Sequence, residues 1–518
     1  MRLPRAAGVL LHPTSLPGRF GIGDLGPASR EFVTFLAETG QRWWQVLPIG
    51  PTGYGNSPYQ SPSSFAGNPL LLSPELLRDE GWIKAEELDA VTTPTASHVD
   101  YPAVSRAKES LHRLAFERFD PHDARLASFR ERNSSWLADY SVFEAIREDQ
   151  SDRPWQEWEG GLASREPSAL AHVRDRLDRE IRYHEFLQFA FDLQWSALHE
   201  ECQQQGIGFI GDVPIFVALQ SADVWTRPEL FQLDARGCPT HVAGVPPDAF
   251  AATGQRWGNP LYRWEAHEAD GFAWWIERFR RTLDRVELLR LDHFRGFESY
   301  WRIPANAATA VHGEWVASPG IALLEAARTS LGGLPLIAED LGLITSEVHA
   351  LRDRFVLPGM KVLQFAFAGG DGANIYLPFS YPPHCVAYTG THDNDTTCGW
   401  FRGTSVSHGP PPDLESAIYE RRLVRRMAGT DGSEAHWDLI RMAYASVADT
   451  VIVPMQDILG LGSEARMNVP GIADGNWEWR LEPAMIEDRL ARERLAELAA
   501  AFYRFHGQVP VPLRPRIT

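Results

Sequence analysis

Eight short apolar runs punctuate the chain: GVLLH (8–12), WWQVLP (43–48), GFIGDVP (208–214), LLRLDHF (288–294), LPLIAED (334–340), KVLQFAF (361–367), CVAYTGTHD (385–393) and TVIVPMQD (450–457). Several lie beside segments with helical period. Phe32, Phe35 and Leu36 share one face, as do Phe272, Trp275, Ile276 and Phe279, and Leu495, Leu498, Phe502 and Phe505 repeat the stripe near the C-terminus. Eight buried-type strands alternating with helices predict an α/β fold, a (β/α)8 TIM barrel. An open doubly wound sheet is the alternative.

Three gaps exceed a simple crossover. Residues 70–205 are charged and periodic and predict a helical subdomain; 398–447 predict a further helical pair. Residues 218–271, rich in Pro, Gly and Trp, predict long irregular loops. No low-complexity linker or internal repeat divides the sequence, so 1–518 reads as one barrel with insertions rather than a string of modules.

Charge and cysteines narrow the function. The 50 basic and 68 acidic side chains leave a net −18, which argues against nucleic acid or an anionic membrane as partner. No stretch approaches the ~20 apolar residues of a membrane span, and no secretion signal is visible. Cys202, Cys238, Cys385 and Cys398 have no metal-type spacing. They read as reduced thiols of a cytoplasmic protein, with neither metal nor cofactor expected.

In a barrel, reacting groups sit where strands end. Here Asp212, Asp292, Glu339, Asp340 and Asp393 close four of the runs. Taken singly, each acid could cap a helix or pair with an Arg. Together they suit either a cation site of oxygen ligands or glycoside chemistry, in which one carboxylate attacks and another protonates. Arg290 favours the second. Two residues before Asp292 on one strand, it points to the same side and would keep a nucleophile ionised, whereas a metal cage gains nothing from it. His392 offers a donor to a sugar hydroxyl. Tyr54, Tyr59, Trp225 and Trp257 fall in predicted loops, where rings can stack on a pyranose, and Gln255 and Asn259 flank Trp257.

The motifs GVLLHPTSLPGRFGIGDLG, SPYQSPSSFAGNP, GDVPIFV, GVPPDAFAATGQRWGNPLY, RLDHFRGF, AEDLG, PGMKVLQFAF and YTGTHDNDT resemble, in matching order, the 4-α-glucanotransferases (amylomaltases, or disproportionating enzymes). These form glycoside hydrolase family 77 of the α-amylase clan. The resemblance implies a (β/α)8 barrel with inserted subdomains and no C-terminal β-sandwich. It also implies site roles: Asp292 as nucleophile, Glu339 as general acid/base and Asp393 as transition-state stabiliser. It places Arg290, His392, Asp212 and Tyr59 in the cleavage subsite, and Asp248, Gln255, Trp257 and Phe365 around it. Asn468 falls on a loop closing the cleft. Tyr54 and Tyr101 align with a second glucan site of some members. The implied partners are α-1,4-glucans, with a monomer or weak homo-oligomer expected. Two positions depart from the pattern: Ala249, where relatives often carry Tyr, and Phe379-Ser380, where many read His-Asn.

The implied chemistry is retaining double displacement, with carboxyls about 5–5.5 Å apart, Glu339 protonated at rest and Asp292 ionised. An acceptor at millimolar concentration must outcompete water, a handicap on the order of 10⁴, or about 6 kcal/mol of binding and positioning. The loops with Asp248, Ala249, Phe250 and Trp257 are the candidates for that role. An α-1,4-glucan hydrolase with the same core, or a non-catalytic glucan-binding protein, are the competing readings.

Overall fold

The computed structural model describes residues 2–91, 93, 97–247, 253–368, 374–404 and 414–507. Among these residues, twelve strands fall in chain order: β1 (Ala6–Leu10), β2 (Trp43–Gln45), β3 (Gly208–Pro214), β4 (His241–Val245), β5 (Gln255–Pro260), β6 (Leu288–Asp292), β7 (Ser299–Pro304), β8 (Glu314–Ala317), β9 (Leu336–Ala338), β10 (Gly359–Val362), β11 (Cys385–Tyr388) and β12 (Thr450–Pro454).

Eight of them, in the order β1-β2-β3-β6-β9-β10-β11-β12, close into a barrel. Every neighbouring pair is parallel. The eight apolar runs supply these strands. β3 covers its whole run, β1 is displaced toward the N-terminus, and several others stop short of the run's end, as at Asp292 in β6 and at Ala338, just before Glu339, in β9. Inward and outward faces are both buried, as a parallel barrel requires: β1, β2, β10, β11 and β12 are buried at every position.

The helical stripes close this core from outside. In helix Ala273–Leu283, Trp275, Ile276 and Phe279 are buried, and in helix Arg489–Ala501, Leu495 and Leu498 are. The stretch between β2 and β3 holds a run of helices ending in the 27-residue Asp178–Gln204. A buried ion pair ties this region to the N-terminal segment. Lys108 donates to Asp24 at 2.9 Å and to the carbonyls of Leu70 and Leu72, so its desolvated ammonium is fully satisfied.

The stretch 218–271 departs from the expectation of irregular loops. It contributes β4 and β5, which join β7 and β8 in a four-stranded antiparallel sheet ordered β5-β4-β7-β8. Glycine and proline in HVAGV and QRWGNP depress strand propensity locally, and the pairing of β4 with β7 across some sixty residues overrides it. Trp257 is therefore a strand residue, not a loop residue. Trp225 is corrected too: it lies in the short helix Ala222–Thr226, fully buried, its indole N–H donated to the Leu162 carbonyl. Among the described residues, no helix is long and apolar enough to cross a membrane.

Candidate active site

Strand register assembles the site. Asp212 on β3 stands opposite Arg290 on β6, and Asp292 lies two residues further along β6 on the same side. The Arg290 guanidinium forks: Nη1 donates to Asp212 and Nη2 to Asp292 at 2.8 Å. Both Arg290 and Asp212 are buried, while Asp292 remains partly open.

Glu339 follows β9. One oxygen accepts the His293 backbone N–H at 2.8 Å and the other the Leu341 N–H at 2.9 Å. These bonds and the Arg290 charge favour the carboxylate, but burial and the neighbouring Asp292 outweigh them and push the Glu339 carboxyl up to about 8. His293 donates from a left-handed backbone, φ 52°, a costly conformation for a residue with a Cβ. Its ring meets the edge of Trp257 at 4.9 Å between centroids, and burial lowers it to about 4, so the imidazole is neutral. Gln255 accepts the Trp257 indole N–H at 3.1 Å.

On the opposite side, the loop after β11 presents His392 and Asp393. Tyr59 donates its hydroxyl to Asp212 at 2.8 Å and lies 2.9 Å from His392 Nε2. With its proton on Asp212, the tyrosine oxygen must accept, which assigns the Nε2–H tautomer to His392. Burial lowers the basicity of His392, consistent with a neutral ring. The Asn468 amide donates to Asp393 at 2.6 Å, and Arg466 donates to the backbone carbonyls of both Asp393 and Asn468 at 2.7 Å. Phe365 lies in the turn after β10, edge-on to Tyr376 at 5.4 Å.

The structure thus gathers Asp292, Glu339, Asp393, Arg290, Asp212, His392, Tyr59 and Asn468 at one rim, with Trp257 and Gln255 joined through His293. Asp248 and Ala249 lie outside the described residues. Asp340 has a structural role instead: it accepts the Met360 N–H at 2.7 Å and pairs with Arg352. Asn259 is likewise buried, donating to the Val217 carbonyl. Tyr54 and Tyr101 do not form an exposed pair. Tyr54 is 81% exposed, whereas Tyr101 is 5% exposed, packed with Ile22, Val99 and Val104, its hydroxyl donated to the Trp477 carbonyl. Trp477 in turn packs against Tyr59 and His392, so Tyr101 supports the site from behind.

Two contributors escaped sequence reasoning. His293, adjacent to Asp292, acts through its backbone, which no residue type advertises. Arg466 lies two residues before Asn468 in ARMNVPG and carries a signal only in the motif's basic residue.

Comparison with known proteins agrees on one family. The family model described as 4-alpha-glucanotransferase, glycoside hydrolase family 77, matches residues 11–486. The 4-alpha-glucanotransferase of Thermus thermophilus is 50% identical over 491 residues, covering 93% of this chain and 96% of its own. That of Synechocystis is 48% identical over 495 residues, covering 94% and 96%. The structure of amylomaltase from Streptococcus agalactiae in complex with acarbose superposes with a TM-score of 0.91 at 37% identity, covering 97% of this chain and all of that one. The chain belongs to the 4-α-glucanotransferases of glycoside hydrolase family 77, and its activity is the transfer of α-1,4-glucan segments.

Proposed function

We propose that Asp292 is the nucleophile, Glu339 the acid/base and Asp393 the stabilising carboxylate of this transfer. The observation that supports the assignment is the contrast between two neighbouring acids. Glu339 is buried and pushed up to about 8, fit to hold a proton at neutral pH, while Asp292 is forked to Arg290 at 2.8 Å.

In the first step Glu339 protonates the glycosidic oxygen as Asp292 attacks the anomeric carbon, and the shortened glucan leaves. In the second, Glu339 as carboxylate takes the proton from the 4-hydroxyl of an acceptor, which displaces Asp292 and restores the α-linkage. Asp393, steered by Asn468, faces the positive charge developing on the ring. Arg290, His392, Tyr59 and Asp212 bind the sugar in the cleavage subsite; Asp212 Oδ1 and His293 Nε2, buried with no hydrogen-bond partner among the described residues, suit its hydroxyls. Gln255, Trp257 and Phe365 extend the cleft, Asp248 is kept as a substrate-binding residue, and Tyr54 offers an exposed ring to longer chains.

The donors and acceptors in this proposal are maltodextrins and starch- or glycogen-derived chains, with cyclic products where one chain end reaches the intermediate. The acarbose complex of the Streptococcus agalactiae relative supports an α-glucan-shaped cleft. The proposal also covers one catalytic unit with insertions, and a cytoplasmic setting, in keeping with four unpaired cysteines.

A glycosyl fluoride donor tests the roles. The E339Q variant should form the Asp292 ester but release it slowly, giving a peptide around Asp292 heavier by one glycosyl unit; D292N should not. Labelling elsewhere, or none, would contradict the assignment.

A further inference from the structure

Arg295 lies three residues past Asp292, in the turn Phe294–Phe297, and is 9% exposed. It makes no ion pair among the described residues; Glu298 and Glu347 act on it only through space. Instead, its guanidinium lies over the ring of Trp315 at 3.9 Å from the centroid, and Nη1 donates to the Leu343 carbonyl at 2.5 Å. A charge so desolvated is costly unless it is partnered; the Trp315 face and the Leu343 carbonyl supply that partnership, while Nε is buried with no hydrogen-bond partner among the described residues.

The two partners belong to different parts of the molecule. Leu343, 61% exposed, is in the connection between β9 and helix Ser346–Arg354, which has no regular structure. The start of this connection supplies the Leu341 N–H that binds Glu339. Trp315 is on β8 of the antiparallel sheet, where it faces Trp301 edge-on at 5.3 Å. Trp301 is itself fixed by an indole hydrogen bond to the Ala310 carbonyl at 2.9 Å. Arg295 therefore joins an exposed segment, whose first residues hold Glu339, to a braced sheet.

We propose that Arg295 is a positioning residue for Glu339. By clamping the connection at Leu343 against Trp315, it keeps the Leu341 N–H, and with it one Glu339 oxygen, in line with the glycosidic oxygen. The inference rests on Glu339 being the acid/base. Trp315 is then the platform that sets the reach of the clamp.

The test separates proton transfer from everything else. With maltotriose, both steps need Glu339. With α-maltotriosyl fluoride and azide, neither does: Asp292 attacks the anomeric carbon and the C–F bond breaks to release fluoride unprotonated. Azide, with no proton to lose, then displaces Asp292 to give the glycosyl azide. Since a displacement near 1 Å costs on the order of 10² in rate, R295M should lower maltotriose turnover about 30- to 100-fold, chiefly in kcat. Fluoride–azide turnover should stay within about threefold, which also reports an intact fold and nucleophile. R295K, which keeps a donor for Leu343, should lie between R295M and wild type. E339Q is the reference and should show the same split more strongly. Equal losses in both assays, or an R295M enzyme within about threefold of wild type on maltotriose, would overturn the positioning role. An E339Q reference without the split would instead overturn the acid/base reading, and the proposal with it.

Discussion

His293 hands its backbone N–H to Glu339 at 2.8 Å only because its own backbone is left-handed, φ 52° and ψ 53°. The residue after Asp292 is thus turned so that one peptide links the two acids. A Cβ in this conformation costs about 1–2 kcal/mol. H293A and H293G both lose the ring, so their difference isolates the backbone. H293G should be the more stable by about that amount in denaturant unfolding, with Glu339 still held. Equal stabilities would mean that the turn stores no strain.

Glu339 sets an alkaline limit on activity. Because its carboxyl is raised to about 8, the protonated form needed for the first step is lost as pH climbs through that value. In a pH series with a glucan donor, kcat/KM should fall with a midpoint near pH 8, and α-glycosyl fluoride hydrolysis should lack this limb. E339Q should lose on the order of 10²–10⁴ in glucan turnover.

The same shift makes stability depend on pH. The folded state keeps a proton on Glu339 that the unfolded chain gives up above about 4.5, so this contribution is complete below that pH and is lost as pH rises through about 8. E339Q carries no such dependence. Its stability relative to wild type should therefore climb between these pH values in thermal melts, and a constant difference would place the raised carboxyl elsewhere.

Tyr59 joins two sides of the rim, donating to Asp212 while accepting from His392. Y59F leaves the His392 N–H without its partner and Asp212 with Arg290 alone. Loss of one buried bond at each should cost about 1–3 kcal/mol of stability. If these bonds hold the subsite, turnover should fall more steeply than stability. A variant of wild-type activity would show the link to be dispensable.

Tyr54 and Tyr101 should behave oppositely. Y54A removes an exposed ring and should leave stability within about 0.5 kcal/mol, any effect being confined to long glucans. Y101F removes the bond to Trp477 and should cost about 1 kcal/mol whatever the substrate. Chain-length series with amylose and maltotriose, paired with unfolding curves, separate the two.

The barrel was legible because eight apolar runs recur along the chain and supply its strands, and the acids at or just beyond the ends of four of the runs locate the site. Arg290 and Asp292 could be paired in advance because a strand repeats every two residues. The antiparallel sheet was not legible: Gly and Pro interrupt β4 and β5, and β4 is paired on one side with β5 and on the other with β7, far along the chain. The burial of Tyr101 was not legible for a related reason. A tyrosine after a Pro- and Thr-rich stretch gives no sign that its hydroxyl will find the Trp477 carbonyl 376 residues away. Asp340 and Glu339 are adjacent acids that sequence alone cannot separate; only the Met360 N–H and Arg352 show which one is a strut.

Incubation of the purified protein with maltotriose, following the oligosaccharide ladder and total reducing ends together, distinguishes glucan transfer from hydrolysis. Transfer turns two maltotrioses into glucose and maltopentaose, then longer chains, with the number of reducing ends unchanged, and this is the predicted result. Reducing ends that rise in step with glucose and maltose would show that water takes the intermediate and that the enzyme is a hydrolase, not a transferase.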